Sequence, residues 1–402
     1  MSEHPVVTGL GIVAPNGLGT ETFWKATLAG DCGIRRIENF DPGCYPSQLA
    51  GQIRDFEASE HLPDRLLPQT DRVTRLALVA ADWALTDAGI SGDEYADFDQ
   101  GVVTSNASGG FEFTYREVNK LYNQGPKHVS VYQSFAWFYA ANTGQISIRN
   151  GMRGPSGVLV GEQAGGLDAV GQARHNLRHG GKLMVTGGVE SSFDPWGLLS
   201  HYVSGQVSTC RDPQLAYLPF DVAANGYLPG EGGAIVVLER ADAARARGAS
   251  GYGRVAGYAA TFDPPPGSAR PSSLARALVL ALADAGVTPG EVDAVFADAA
   301  GVVELDRTEA SALAEVFGPH GVPVTATKAA NGRLCAGAGP LDVATALLAM
   351  RDGVIPPTPN VRVVPDEYRI DLVQEPRTAE VAVAVVLARG RHGFNSAVVL
   401  TK

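Results

Sequence analysis

Cysteine is scarce in this chain: four stand in 402 residues, and no two have Cys-x-x-Cys spacing. Cys32, Cys44, Cys210 and Cys335 are therefore expected as free, reduced thiols of a cytoplasmic protein, not as a disulfide framework. Positive charge is also short. The formal net charge is -11 and no long basic run occurs, which argues against nucleic acid or an anionic membrane surface as the main partner. No stretch of 18 apolar residues is present, so no membrane-spanning helix is expected. Ser2 to Pro5 lack the basic and apolar regions of a signal peptide.

What is abundant is glycine, with 48 residues and no three-residue period; these are expected in turns and at close backbone approaches. The length allows a large core, as one body or two fused domains. Val6 to Val13 is apolar enough for a buried strand closed by the Asn16-Gly17 turn. Its Gly9-Leu10-Gly11-Ile12-Val13-Ala14 fits a dinucleotide fingerprint only superficially. Ile12 and Val13 prolong the strand where a turn is required, and Pro15 interrupts the helix that should follow.

Thr74 to Ala88 aligns Leu76, Val79, Ala80, Trp83 and Ala84 on one helical stripe, with Gly89 as its stop. Strands are expected at residues 101–105, 157–160, 183–186, 233–238 and 254–259, and helices from about Phe111 and over 164–177. The aromatic run from Val131 to Ile146 reads as one long helix, either in the core or at a subunit contact. Short strands alternating with helices predict α/β layers with sheets covered on both faces.

Two segments repeat one another. Leu76 to Val103 and Leu274 to Phe296 are each an Ala/Leu-rich helix ending in Asp-Ala-Gly, then an acidic linker, then a strand. A duplicated α/β unit follows, with halves at 1–250 and 251–402 and a soft boundary near Gly248 to Gly253. In the second half, helices are expected at 274–285, 307–317 and 341–350, and strands at 294–296, 322–325, 381–387 and 396–400.

Several segments, taken in order, resemble the β-ketoacyl synthases of the thiolase superfamily. They are Val7-Thr8-Gly9-Leu10-Gly11 with Pro15 and Gly17, then Leu218-Pro219-Phe220-Asp221 and Gly226-Tyr227-Leu228-Pro229-Gly230-Glu231-Gly232. Asp306 and Glu309, Lys328 and Gly332, and Gly393-Phe394-Asn395 complete the series. The resemblance implies the duplicated α-β-α-β-α five-layer fold. In an active member a cysteine takes the acyl group as a thioester and two histidines help decarboxylate the malonyl extender and stabilise its enolate. Here the cysteine position holds Gln163, in Gly161-Glu162-Gln163-Ala164-Gly165-Gly166. The histidine positions hold Asp298 and Arg333, and the Phe-rich gate reads Ala388-Arg389-Gly390-Arg391-His392. An amide cannot form a thioester, so independent condensation is not expected.

The Glu-Gln-Ala-Gly-Gly segment, Leu66 to Asp71 and Ser134 to Ala140 resemble one subfamily, the chain length factors or ketosynthase-β subunits of type II aromatic polyketide synthases. That resemblance implies a heterodimer with a ketosynthase-α subunit, an acyl carrier protein as malonyl donor, and a growing poly-β-ketone chain held in an interface channel. It places channel-lining residues at Phe111, Thr114 and Val118, whose spacing shares one helical face, with Trp196 as a further wall or as core. A valine at 118 implies a deep pocket and a product of about twenty to twenty-four carbons, since a wall residue sets how much a packed cavity admits. Gln163 would either assist malonyl decarboxylation or hold the vacated site in shape. Opposite charges at Asp298 and Arg333 predict a contact within about 4 Å or a bridge through Glu162, with Lys328 able to join.

No cofactor is expected. The histidines form no metal or hydrolase pattern; His175 and His179 lack the glutamate of a zinc-hydrolase motif. Two rivals stand beside this reading: a homodimeric thiolase-fold acyltransferase using another nucleophile such as Cys335, and a structural scaffold with no channel.

Overall fold

Long apolar runs bounded by glycine and proline become strands buried on both faces, because helices cover each side of the sheet. The computed structural model describes residues 4–265 and 267–402; Ser2 and Glu3, considered above for a leader, lie outside the described residues. The first half contributes β1 (Val6–Ala14), β2 (Gln100–Ser105), β3 (Ser156–Leu159), β4 (Leu183–Glu190) and β5 (Gly232–Glu239). The second contributes β6 (Gly253–Phe262), β7 (Ala294–Phe296), β8 (Pro323–Thr325), β9 (Val383–Gly390) and β10 (Phe394–Thr401).

Read from one edge, the first half runs β3-β2-β4-β5-β1 and the second β8-β7-β9-β10-β6, the same order twice. In each, the first three strands of this order are parallel and the remaining two pairings are antiparallel, and in the second half the short strand Asp371–Leu372 adds in parallel outside β8. The halves meet where β1 pairs β6 through Val6–Arg254 and Val7–Gly253. Because the strand order restarts at β6, we propose the junction of the halves at residues 250 and 251.

The helices that position the site are α1 (Arg72–Asp87), α2 (Phe111–Gln124), α3 (Ala141–Arg149), α4 (Gly165–Arg178), α5 (Pro195–Tyr202), α6 (Leu274–Ala285), α7 (Val303–Phe317) and α8 (Ala338–Asp352). α4 and α8 pack on each other between the sheets, α1 covers β1 and β5 from outside, and α6 covers β6 and β10. This gives the expected five layers. The Gly-x-Gly of β1 now has its reason. A Cβ on Gly11 would meet the Ala80 carbonyl oxygen of α1 at 1.8 Å. In the second half Gly257 stands in the same relation to Ala281 of α6, at 2.2 Å. These glycines let a helix lie against the sheet; no phosphate is involved.

One expected element is corrected. The run from Val131 to Ile146 is not a single helix. It forms one helical turn (Gln133–Ala136), a tight aromatic turn, and then α3. The Trp137 carbonyl is diverted to the Gly110 N–H at 3.1 Å, which ends the helical ladder. The rings of Trp137, Phe138 and Tyr139 lie tilted against one another and face outward. Helical periodicity carries little information across the unbroken apolar stretch Phe135 to Ala141.

Candidate functional site

β3 leads into a sharp elbow at Gly161-Glu162-Gln163, and α4 starts two residues beyond it. Glu162 has φ 50, a left-handed conformation that costs a residue with a side chain about 1 kcal/mol or more. The elbow is tightly packed, since a Cβ on Gly165 would meet the Ser105 hydroxyl at 2.5 Å. Gln163 is fully buried, and neither its Oε1 nor its Nε2 has a hydrogen-bond partner. A buried amide with both ends unmet is costly, and Gln163 does not line the cavity that opens over Asp298 and Arg333.

Asp298 stands in the loop after β7, and Arg333 in the loop that precedes α8. Arg333 Nη1 lies 2.9 Å from Asp298 Oδ2 and Nη2 lies 3.3 Å from Oδ1, a two-pronged pair of which 7% and 1% of the residues are exposed. Burial alone would lower the Arg333 pKa, but Asp298, Tyr217 and Glu162 raise it well above its ordinary value. The pair also holds the end of β9: Arg389 N–H donates to Asp298 at 2.9 Å, and Arg333 donates to the Arg389 carbonyl at 2.9 Å.

Glu162 does not bridge the two. It accepts the Arg391 backbone N–H at 2.9 Å, with the Cys335 thiol 4.0 Å away. Lys328, expected to join Asp298 and Arg333, instead donates to the Ala297 carbonyl at 2.6 Å and pairs with Asp342 of α8. Burial lifts Asp342 to about 6 against the pull of that lysine.

The loop carrying Asp298 is fastened from behind. Glu309 of α7 accepts the N–H groups of Asp298 and Ala299 at 2.7 and 2.8 Å, and Asp306 accepts those of Phe220 and Gly301 at 2.8 and 3.0 Å. Burial raises both carboxyls to about 7. Over this group opens a cavity of about 450 Å³ lined by Glu162, Tyr227, Asp298, Arg333, Arg389 and Arg391 among others.

The chain matches the family models for the β-ketoacyl synthase N-terminal domain over residues 3–244 and C-terminal domain over residues 252–362. The chain belongs to the β-ketoacyl synthase family. Within that family it closely matches the β-subunit, or chain length factor, type. It is 61% identical to a protein of Streptomyces coelicolor named actinorhodin polyketide putative beta-ketoacyl synthase 2, over 99% of this chain and 98% of that one. It is 58% identical to the tetracenomycin polyketide synthase ketoacyl synthase beta subunit of Streptomyces glaucescens, over 99% and 98%. Among solved structures, the ishigamide ketosynthase/chain length factor superposes with a TM-score of 0.89 at 27% identity, over 100% of both chains.

In this member of the β-ketoacyl synthase family Cys335 is ill suited to replace the missing thiol. Cys335 has φ 45, and burial, with Glu162 and Glu190 nearby, pushes its thiol well above the ordinary range. A thiol held protonated is a poor nucleophile. His175 and His179 are exposed on and just after α4, and His179 Nδ1 contacts only the His175 carbonyl, at 2.8 Å. Among the described residues no group of His, Cys, Asp and Glu is arranged to hold a metal ion.

Phe111, Thr114 and Val118 share a half-buried face of α2, whereas Phe113 and Glu117 point inward. None of the three lines the cavity over Asp298 and Arg333. Trp196 is 39% exposed at the start of α5 and packs edge-on against Tyr115 at 5.7 Å, so it belongs to the surface that α2 and α5 share and not to the core. Sequence reasoning missed two carboxylates that hold α2, Asp71 and Glu190. Asp71 directly precedes an apolar helix in the manner of an N-cap, which was a readable signal; Glu190 gave none.

Proposed function

We propose that this chain is the non-condensing partner of a ketosynthase-α subunit in type II polyketide synthesis. It forms one wall of a channel for the growing poly-β-ketone and limits its length. The ketosynthase-α subunit supplies the cysteine and histidines, and an acyl carrier protein delivers malonyl units. The observation that carries this reading is the buried Gln163 amide at the nucleophile position, flanked by a closed Asp298–Arg333 pair where two histidines would act. Such a site can pack, orient and hydrogen-bond, and the amide at its nucleophile position cannot hold an acyl chain covalently.

Two surface features support a partner subunit. Among the described residues β3 pairs only with β2, so one edge of the sheet is open. Beside the α2 helix, Val131, Trp137 and Phe138 leave large apolar side chains exposed. The half-buried face of Phe111, Thr114 and Val118 becomes a channel wall once a second chain covers it. We place the protein in the cytoplasm; among the described residues no helix is long and apolar enough to cross a membrane.

The test is reconstitution. Alone, with malonyl-loaded carrier protein, the chain is expected to elongate nothing; with its ketosynthase-α it is expected to support full-length synthesis. Val118→Phe should then shorten the dominant product seen by mass spectrometry, because overfilling a packed cavity costs about 1–3 kcal/mol and each factor of ten in partition needs about 1.4 kcal/mol. Elongation by the isolated chain overturns the reading. An unchanged product length overturns the channel assignment.

A further inference from the structure

α2 starts without a cap of its own. Its N-cap position is Gly110, and no side chain fits there, because a Cβ would meet the Ala136 carbonyl oxygen at 2.0 Å. The N–H of Phe113 in the first turn would be left without a partner. It is taken by Asp71, the residue that caps α1. Asp71 Oδ1 accepts the Val73 N–H at 2.9 Å, and Oδ2 accepts the Phe113 N–H at 2.7 Å. One carboxylate therefore caps two helices, the second through a residue 42 positions away from it on the chain.

The approach to α2 is tied down as well. Glu190, at the end of β4, accepts the Ala107 N–H at 2.8 Å, the Ser108 N–H at 3.4 Å and the Asn106 amide at 3.2 Å. Asp71 and Glu190 are 2% and 1% exposed. Among the described residues neither takes part in an ion pair, so the carboxylates are spent on backbone and neutral side-chain donors. That is a rigid attachment, since each N–H offers one direction while a cation on a long side chain can swing.

We propose that Asp71 is a specificity-determining positioning residue: by capping α1 and α2 with one carboxylate, it fixes where Phe111, Thr114 and Val118 stand against the core and so sets how long a chain the channel admits. The inference rests on the reading of those three residues as channel wall. Losing the second bond leaves the Phe113 N–H unmet; α2 is still held by the buried Phe113 ring and by Glu117, which accepts the Ser130 N–H at 2.7 Å, so it is the first turn that gains freedom to shift.

The experiment uses the reconstituted complex with ketosynthase-α and malonyl-loaded carrier protein. In Asp71→Ser the shorter side chain retains the local cap on α1, where serine and aspartate serve about equally well, but lacks the second oxygen that holds Phe113. The complex is expected to assemble and to consume malonyl units at about the wild-type rate. The share of products of non-wild-type length should rise about fivefold, the factor equivalent to about 1 kcal/mol for one lost cap. Asp71→Asn, which keeps the size and one accepting oxygen, should fall between the two. Val118→Phe runs alongside as the control for the underlying reading. If Val118→Phe shortens the product while Asp71→Ser gives the wild-type distribution, the inference is overturned and the channel wall stands. If Val118→Phe itself changes nothing, the channel reading fails. Should Asp71→Ser not assemble, Asp71→Asn is judged by the same outcomes.

Discussion

At residue 163 an amide replaces a thiol, and around it the backbone keeps the shape of a reactive site. Glu162, Ala299 and Cys335 have φ of 50, 51 and 45, and each lies within two residues of Gln163, Asp298 or Arg333. Strained residues persist where their surroundings over-determine them, and here the packing does so without any chemistry to serve. The sequence motifs made the three replacements legible, and opposite charges at two neighbouring positions were enough to anticipate that Asp298 and Arg333 touch. They did not foretell that Lys328 pairs with Asp342, because that aspartate hides inside an apolar helix where nothing marks it as a partner. The unmet amide of Gln163 was also invisible, since satisfaction is a property of neighbours. Both amide atoms lack a protein partner, but the side chain is fully buried and does not line the cavity over Asp298 and Arg333; we propose that it donates to a malonyl thioester carbonyl once the site opens. Gln163→Ala, assayed for malonyl decarboxylation with the partner's cysteine blocked, should then lose about tenfold or more in rate. A rate equal to wild type would leave Gln163 as a space-filling residue.

Helices and strands were read well where apolar periodicity was clean. α6 falls at residues 274–285 as expected, because an Ala/Leu stripe bounded by Ser273 and Gly286 leaves little choice. α7 begins at Val303, four residues before its expected start, since the buried Asp306 gave no apolar signal there. The aromatic run failed for a different reason: its fate depends on Gly110 claiming a carbonyl from across the fold. That turn leaves Trp137 and Phe138 49% and 38% exposed. If it is a subunit contact, Trp137→Ser with Phe138→Ser should weaken the heterodimer by about thirtyfold, the effect of losing about 2 kcal/mol at an aromatic anchor. Sedimentation across a dilution series would measure it; an unchanged dissociation constant would place the contact elsewhere.

Over the whole molecule the repeat was visible in one helix–linker–strand pair, and the doubled strand order extends it to every principal strand. What sequence hid at this scale is the number of carboxylates taken out of water. Burial raises Asp71, Glu190, Asp306 and Glu309 each to about 7. A carboxyl raised on folding stabilises the fold below its unfolded pKa, and that contribution is lost as pH climbs through the folded one. Thermal stability should therefore fall between pH 6 and pH 8. Glu190→Gln should flatten the fall by about 1 kcal/mol, or about 1–2 °C in Tm. Parallel melting curves for the two proteins at both pH values would show that Glu190 is already charged throughout.

The Asp298–Arg333 link has a consequence for descent. A histidine restored at either place strands the other charge in the interior, at about 3–5 kcal/mol, before any reactivity returns. A cysteine regained at 163 would meet neither base. A change toward an autonomous condensing enzyme at any one of these three positions thus restores no complete site, and a histidine at either charged position also weakens the fold.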